Sequence, residues 1–197
     1  MKKSTMVIIA IVVVIFMLYR SFSSTYNNLV VMEEGVNGSW AQVENQYQRR
    51  MDLIPNLVET VKGYASHEKE TFTEVANARS SVGKMQITPE ILNNPQLMQK
   101  FNAAQNTLSG ALSRLMVVAE KYPDLKANTN FLSLQDQLEG TENRIAVERR
   151  RFNGNVQGYN TIIRRFPTTM IAGMMGFEKK AYFESTAGAE NAPKVSF

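Results

Sequence analysis

Histidine occurs once in the 197 residues and cysteine does not occur. His67 stands in Ser66-His67-Glu68-Lys69-Glu70, where an imidazole beside carboxylates could begin a metal site. A di-iron helical bundle, however, takes a Glu-x-x-His pair from each of two helices, which one histidine cannot supply. His67 therefore reads as a solvated side chain. The absence of cysteine excludes disulfide frameworks, thiolate zinc sites, iron–sulfur clusters and cysteine nucleophiles. Serine and carboxylates are present without a partner arrangement for nucleophilic catalysis. There is no Gly-x-Ser-x-Gly elbow, Walker loop or dinucleotide fingerprint, and the glycines are scattered singly. No catalytic residue, metal or cofactor is expected.

Three arginine clusters remain: Arg49-Arg50, Arg149-Arg150-Arg151 and Arg164-Arg165. Successive helical residues point about 100° apart, so each cluster spreads round its helix. Glu44, Glu142 and Glu148 lie within reach along the helices. The first two clusters read as solvated faces laced with ion pairs, each worth about 0.3–0.5 kcal/mol. Arg164-Arg165 is the better candidate for anionic lipid, for a topological reason given below.

The formal net charge of +4 is unevenly placed. Residues 1–25 carry Lys2, Lys3 and Arg20 without an acid, residues 26–167 are nearly neutral, and residues 168–197 balance. A nucleic-acid binder concentrates positive charge on its folded domain. Here the excess flanks an apolar run, which points to a membrane and away from nucleic acid. The run from Ser4 to Tyr19 has no charge, and Met6 to Leu18 is wholly apolar. Sixteen helical residues span about 24 Å against a hydrocarbon core of about 30 Å, which suits a cleaved signal peptide. Against that, Tyr19, Phe22 and Tyr26 fit an interfacial aromatic belt, Arg20 can snorkel, and Phe22 crowds the small-residue cleavage candidates. An uncleaved single-pass anchor over about residues 4–22, within a segment 1–25, is the preferred reading. The paired lysines favour a cytoplasmic N-terminus, with the rest of the chain on the far side of the membrane.

From residue 26 the apolar period is helical. Leu29, Met32, Val36, Trp40, Val43 and Tyr47 make one stripe. Asp52 before Pro55 suggests a break at 51–53, with a second helix carrying Ile54, Leu57, Val61, Ala65, Phe72, Val75 and Val82. The stripe keeps phase across Pro55, so one long helix with its break near Gly63–Ser66 is the alternative. Residues 87–95 form a loop, and Asn94-Pro95 is a helix-start signal. The third helix carries Leu97, Phe101, Ala104, Leu108, Leu112, Leu115, Val118 and Tyr122, and Pro123 stops it. In the fourth, Phe131, Leu138, Ile145, Phe152, Tyr159 and Phe166 recur every seven residues, flanked by Leu134, Val156 and Ile163. Short loops make neighbours antiparallel. The expected fold is all-α: an up-and-down four-helix bundle (26–51, 53–86, 95–122, 129–166) after the anchor.

In that topology the fourth helix returns toward the membrane. It delivers Arg164 and Arg165, then the uncharged Thr168–Phe177 stretch with Met170, Met174, Met175 and Phe177. Residues 168–184 either cap the core or meet the membrane or a partner, with the cap reading slightly ahead. Residues 185–197 read as a disordered tail. Beside the heptad seam runs a polar strip of Gln135, Asp136, Glu139, Asn143, Arg144, Asn153, Asn155 and Asn160. It is either a buried network fixing helix register or a docking surface.

Long motifs carry a family likeness. Tyr26–Val30, Trp40-Ala41-Gln42-Val43-Glu44 and Arg49–Tyr64, ending in His67-Glu68, resemble the LemA family. So do Leu134–Ala146, Arg149-Arg150, Phe152-Asn153, Tyr159-Asn160, Phe166-Pro167, Gly176-Phe177 and Tyr182-Phe183. Phe152 stands where the family pattern often has tyrosine. The resemblance implies a single-pass bacterial membrane protein with a helical bundle and no established enzymatic activity, and it favours anchor over signal peptide. The expected role is non-enzymatic: an interaction or scaffolding factor at the cell envelope, partnered by a membrane protein or its own copies. A lipid- or small-ligand-binding bundle is the second reading, and an enzyme ranks last.

Overall fold

Proline inside a helix leaves the carbonyl four residues back without its donor. The expected break at 51–53 nevertheless does not form. In the computed structural model, which describes residues 3–85 and 89–184, helix α1 runs unbroken over Lys3–Lys62 with Pro55 inside it. The carbonyl that Pro55 leaves free belongs to Met51, and Arg79 Nε of helix α2 (Lys69–Gly83) donates to it at 3.3 Å. A side chain remote in sequence thus supplies the missing donor. The chain turns instead at 63–68, the alternative site. There the amides of Tyr64 and Ala65 both return to the Val61 carbonyl. The second helix is therefore α2, not 53–86, and Ile54, Leu57 and Val61 belong to α1.

The apolar N-terminal run and the first helix expected after it are one element. At 60 residues, α1 is about 90 Å long. Residues 4–20 are exposed all round, and Leu29 is the first fully buried side chain. The helix is long and apolar enough to cross a membrane.

The remaining elements are a 3-10 turn (Pro89–Leu92), α3 (Pro95–Ala119), the single turn α4 (Pro123–Lys126), α5 (Thr129–Arg164) and α6 (Thr168–Met175). Among the described residues there is no strand. Asn94 caps α3 as expected, its side chain accepting from the amides of Gln96 and Leu97 at 3.0 and 3.1 Å. Asn128 caps α5 through the amide of Phe131. Pro123 opens α4 and does not end α3, which stops at Ala119. Part of the expected loop 87–95 and the whole expected tail 185–197 lie outside the described residues.

Helices pack as two antiparallel pairs. In the first, α1 lies along α5, with Gly35 opposite Asn155, Arg50 opposite Glu142, and Tyr64 opposite Asn128. In the second, Glu74 of α2 meets Arg114 of α3 at 2.6 Å, and Glu68 faces Tyr122. Two apolar clusters fill the interior. The one nearer the anchor holds Leu29, Val36, Trp40, Val43, Tyr47, Phe101, Ile145, Phe152, Val156 and Tyr159. The distal one holds Ile54, Leu57, Val61, Val75, Leu108, Leu115, Phe131 and Leu138. Five members of the heptad seam are thus in the core. Phe166, the sixth, is 81% exposed. Its helix has ended at Arg164, so the seven-residue spacing no longer sets its direction.

If Arg79 compensates for Pro55, the two positions are coupled. Arg79→Ala is expected to lose about 1 kcal/mol in the native background and almost nothing in Pro55→Ala, where the helix supplies its own donor. Chemical denaturation of the four chains of this double-mutant cycle measures it; additive losses would contradict the compensation.

Candidate functional site

Three polar or apolar features remain after the core is built. The first lies between the two apolar clusters. Arg50, expected on a solvated face, is 1% exposed. Its guanidinium donates to Glu142 at 2.8 Å, to Ser109 at 3.0 Å and to Gln105, and lies over the Tyr47 ring. The sequence signal was its place in the stripe: Arg50 follows Tyr47 by three residues and precedes Ile54 by four, whereas Arg49 lies off that face. A buried guanidinium held by one carboxylate and two neutral acceptors fixes helix register more than it adds stability. Arg149, also expected on a solvated face, is half-buried, donates to Asn102 at 3.0 Å and covers the Phe183 ring. Arg151 keeps the expected ion pair, with Glu148.

The second feature is the segment after α6. Gly176 has φ 77°, a left-handed conformation suited to glycine, and it turns the chain out of α6. Residues 177–184 then run extended along the anchor-side half of the helices. Asn160 accepts from the Lys180 amide and donates to its carbonyl, both at 2.9 Å. Asn153 does the same for Phe183, again at 2.9 Å each way. Phe183 stacks on Trp40 and contacts Phe101 and Phe152. Lys180 is buried, with its ammonium 2.6 Å from Glu33 and 2.9 Å from Asn93. Two members of the polar strip, Asn153 and Asn160, therefore hold the backbone of this segment, and a third, Asn155, donates to the Gly35 carbonyl of α1. The paired Asn153 and Asn160, one heptad apart beside the seam, were the sequence signal for this.

The rest of the strip is differently placed. Asp136, Glu139, Asn143, Arg144 and Asn155 are exposed and Gln135 is half-buried, bonded to Glu139 at 3.0 Å. A buried register-fixing network is not built from Asn143 and Arg144. Glu139 and Asn143 edge a groove between α3 and α5 floored by Leu112, Met116 and Leu138.

The third feature is the base. Short α6 turns Ala172 inward and Ile171 partly so, while Met170 and Met174 face out at 60% and 75% exposure with Met175 beside them. Phe177 is half-buried and meets Tyr26 of α1 edge-on at 5.8 Å between ring centroids. Arg164 and Arg165 are exposed at the end of α5. The segment thus both closes the core and leaves an apolar face uncovered. That face lies against α1 just beyond the apolar span.

His67 is exposed. Among the described residues no cluster of three or more His, Asp or Glu side chains is arranged to hold a metal ion.

Burial, helped by the charges of Glu33 and Glu178, pushes the Tyr159 hydroxyl well above its ordinary pKa of 10.0. Burial also raises Tyr47. Above about pH 10 the unfolded chain releases these protons while the folded chain retains them, so stability falls as pH rises. The Tyr159 hydroxyl has no hydrogen-bond partner among the described residues. Tyr159→Phe removes an unpaired buried hydroxyl and is therefore expected to leave stability near neutrality undiminished and to lessen the alkaline loss. Urea unfolding at about pH 8 and about pH 11 measures both; an undiminished alkaline loss in the variant would contradict the assignment.

Comparison with known proteins follows the same lines. The profile described as "LemA family" matches residues 39–197. Magnetosome protein MamQ of Magnetospirillum gryphiswaldense is 29% identical over 180 residues, covering 83% of this chain and 66% of the relative. Magnetosome protein MamQ 2 of Paramagnetospirillum magneticum is 28% identical, covering 81% and 64%. Protein LemA of Metamycoplasma hominis is 21% identical, covering 91% and 78%. The chain spans just under two thirds of the length of the two magnetosome proteins.

Proposed function

The chain belongs to the LemA family, and from that premise we propose that it is a non-enzymatic scaffold anchored in the bacterial cytoplasmic membrane. Residues 4–22 of α1 cross the bilayer, and the amino-terminal lysines stay in the cytoplasm. The remaining helices act as an up-and-down four-helix bundle, with a coiled-coil-like seam, on the outer side of that membrane. The single observation that carries the reading is the continuity of α1, which joins the apolar span to the bundle core without a joint.

Two surfaces follow from that placement. Arg164, Arg165 and the outward methionines of α6 sit at headgroup level, where basic and apolar side chains are both favoured. The strip of Gln135, Asp136, Glu139, Asn143 and Arg144, exposed apart from half-buried Gln135, has Glu139 and Asn143 at the edge of an open groove and is offered to a membrane-protein partner or to other copies. The alternative is a bundle that binds lipid or a small ligand at its membrane-facing base, favoured by the uncovered face of α6.

Purification of the tagged full-length chain from native membranes in mild detergent separates the two. A stoichiometric protein is expected to co-purify, and Glu139→Lys with Asn143→Lys is expected to lower its recovery by about tenfold, since misplaced charge at an interface costs several kcal/mol. Bound lipid without protein, insensitive to those substitutions, would transfer support to the alternative.

A further inference from the structure

The extended segment 177–184 is held as a bound peptide is held. Its Lys180 and Phe183 main-chain groups are satisfied by side chains of α5 in two reciprocal pairs. The spacing is matched: seven residues of α-helix rise about 10.5 Å, and three residues of extended chain cover about 10 Å. One heptad of α5, from Asn153 to Asn160, therefore measures the step from Phe183 back to Lys180. The two side chains enter pockets of opposite character. Phe183 fills an aromatic box that includes Trp40 and Phe152. Lys180 reaches the Glu33 carboxylate. Among the described residues, two backbone-to-backbone bonds tie the segment to the rest of the fold: the Phe177 amide to the Ala172 carbonyl at the turn out of α6, and beyond it the Ala181 amide to the Leu92 carbonyl at 2.7 Å.

We infer that this groove is a recognition site for an extended segment with lysine and phenylalanine three residues apart, and that a second copy of this chain supplies that segment in exchange. The inference rests on the reading of the chain as membrane-anchored. Anchoring gives every copy one orientation and sets its groove at one height, with Glu33 about 21 Å along α1 from Tyr19. A two-fold axis along the membrane normal then makes the exchange reciprocal, and both grooves are filled. Exchange keeps the groove contacts of Lys180, Ala181 and Phe183 and gives up the bond from the Phe177 amide to the Ala172 carbonyl across the hinge. The balance is set by the hinge at Gly176 and by local concentration, which confinement to a membrane raises.

Two full-length variants carrying different affinity tags test this. Asn153→Ala with Asn160→Ala disables the groove and keeps the segment. Lys180→Ala with Phe183→Ala disables the segment and keeps the groove. Co-expressed and extracted in mild detergent, the mixed pair is expected to co-purify at about five times the level of either variant paired with itself, because only the mixed pair retains one intact groove–segment contact between copies. Recovery no greater than that of the self pairs would overturn the inference. A second measurement avoids disabling either partner. The chain has no cysteine, so Leu92→Cys with Ala181→Cys provides the only thiols. Oxidation in membranes is expected to give a covalent dimer that the single-cysteine chains do not form; a link found only within one chain would overturn the exchange. If exchange fails while a different membrane protein still co-purifies, the scaffold reading stands and this inference alone falls.

Discussion

The continuity of α1 is the constraint from which the other features take their positions. A helix has no soft joint unless something inserts into its hydrogen-bond ladder. At Pro55 the freed Met51 carbonyl is bonded by Arg79 reaching across from α2. Helix α1 therefore stays one helix from the apolar part to Lys62, and α5 lies antiparallel along its distal part. The end of α5 must then arrive beside the start of the bundle, which places Arg164, Arg165 and α6 next to Tyr26. The base of the molecule is a consequence of helix lengths and directions rather than of any local motif.

Polar groups in the interior divide that rod into two parts with different tasks. Arg50 separates the apolar clusters, and its partners come from α3 and α5, so α1, α3 and α5 share one register at that level. On the anchor side of this layer the core is aromatic and is completed by a segment outside the helices. On the far side it is largely aliphatic, with Phe131 its one buried ring among the described residues, and it is closed by short turns, where Asn128 and Tyr64 bond at 2.9 Å. The half nearer the anchor is thus the one whose packing depends on a dockable element. The proposed segment exchange and the proposed membrane contact both map to it.

Much of this was legible in the residues. The stripe from Leu29 to Tyr47, the heptad seam of α5 and the cap at Asn94 follow from periodicity and capping rules that act within a few residues. What escaped the sequence depends on partners remote along the chain. Pro55 reads as a helix breaker until Arg79 is known to stand beside Met51. Arg50 reads as solvated until Glu142, Gln105 and Ser109 converge on it. Residues 177–184 have no period, being extended and held by side chains. Phe166 shows the converse: its spacing continues the seam, but the helix that would bury it has already ended. The candidate surfaces were legible as residue types and not as geometry, and Asn153 and Asn160 separated from the rest of their strip only once their bonds to backbone were seen.

The central claim is that α1 carries the α6 face to the level of the bilayer surface. Since the chain lacks cysteine, a single spin label can be placed by Met174→Cys on α6 or by Leu132→Cys near the distal end of α5. The measurement is collision of each label with oxygen, which partitions into lipid, and with a water-soluble nickel complex, on the full-length chain in bilayer discs. The account predicts that the label at 174 favours oxygen and is shielded from nickel, whereas that at 132 favours nickel. Equal access of nickel to both positions would contradict it.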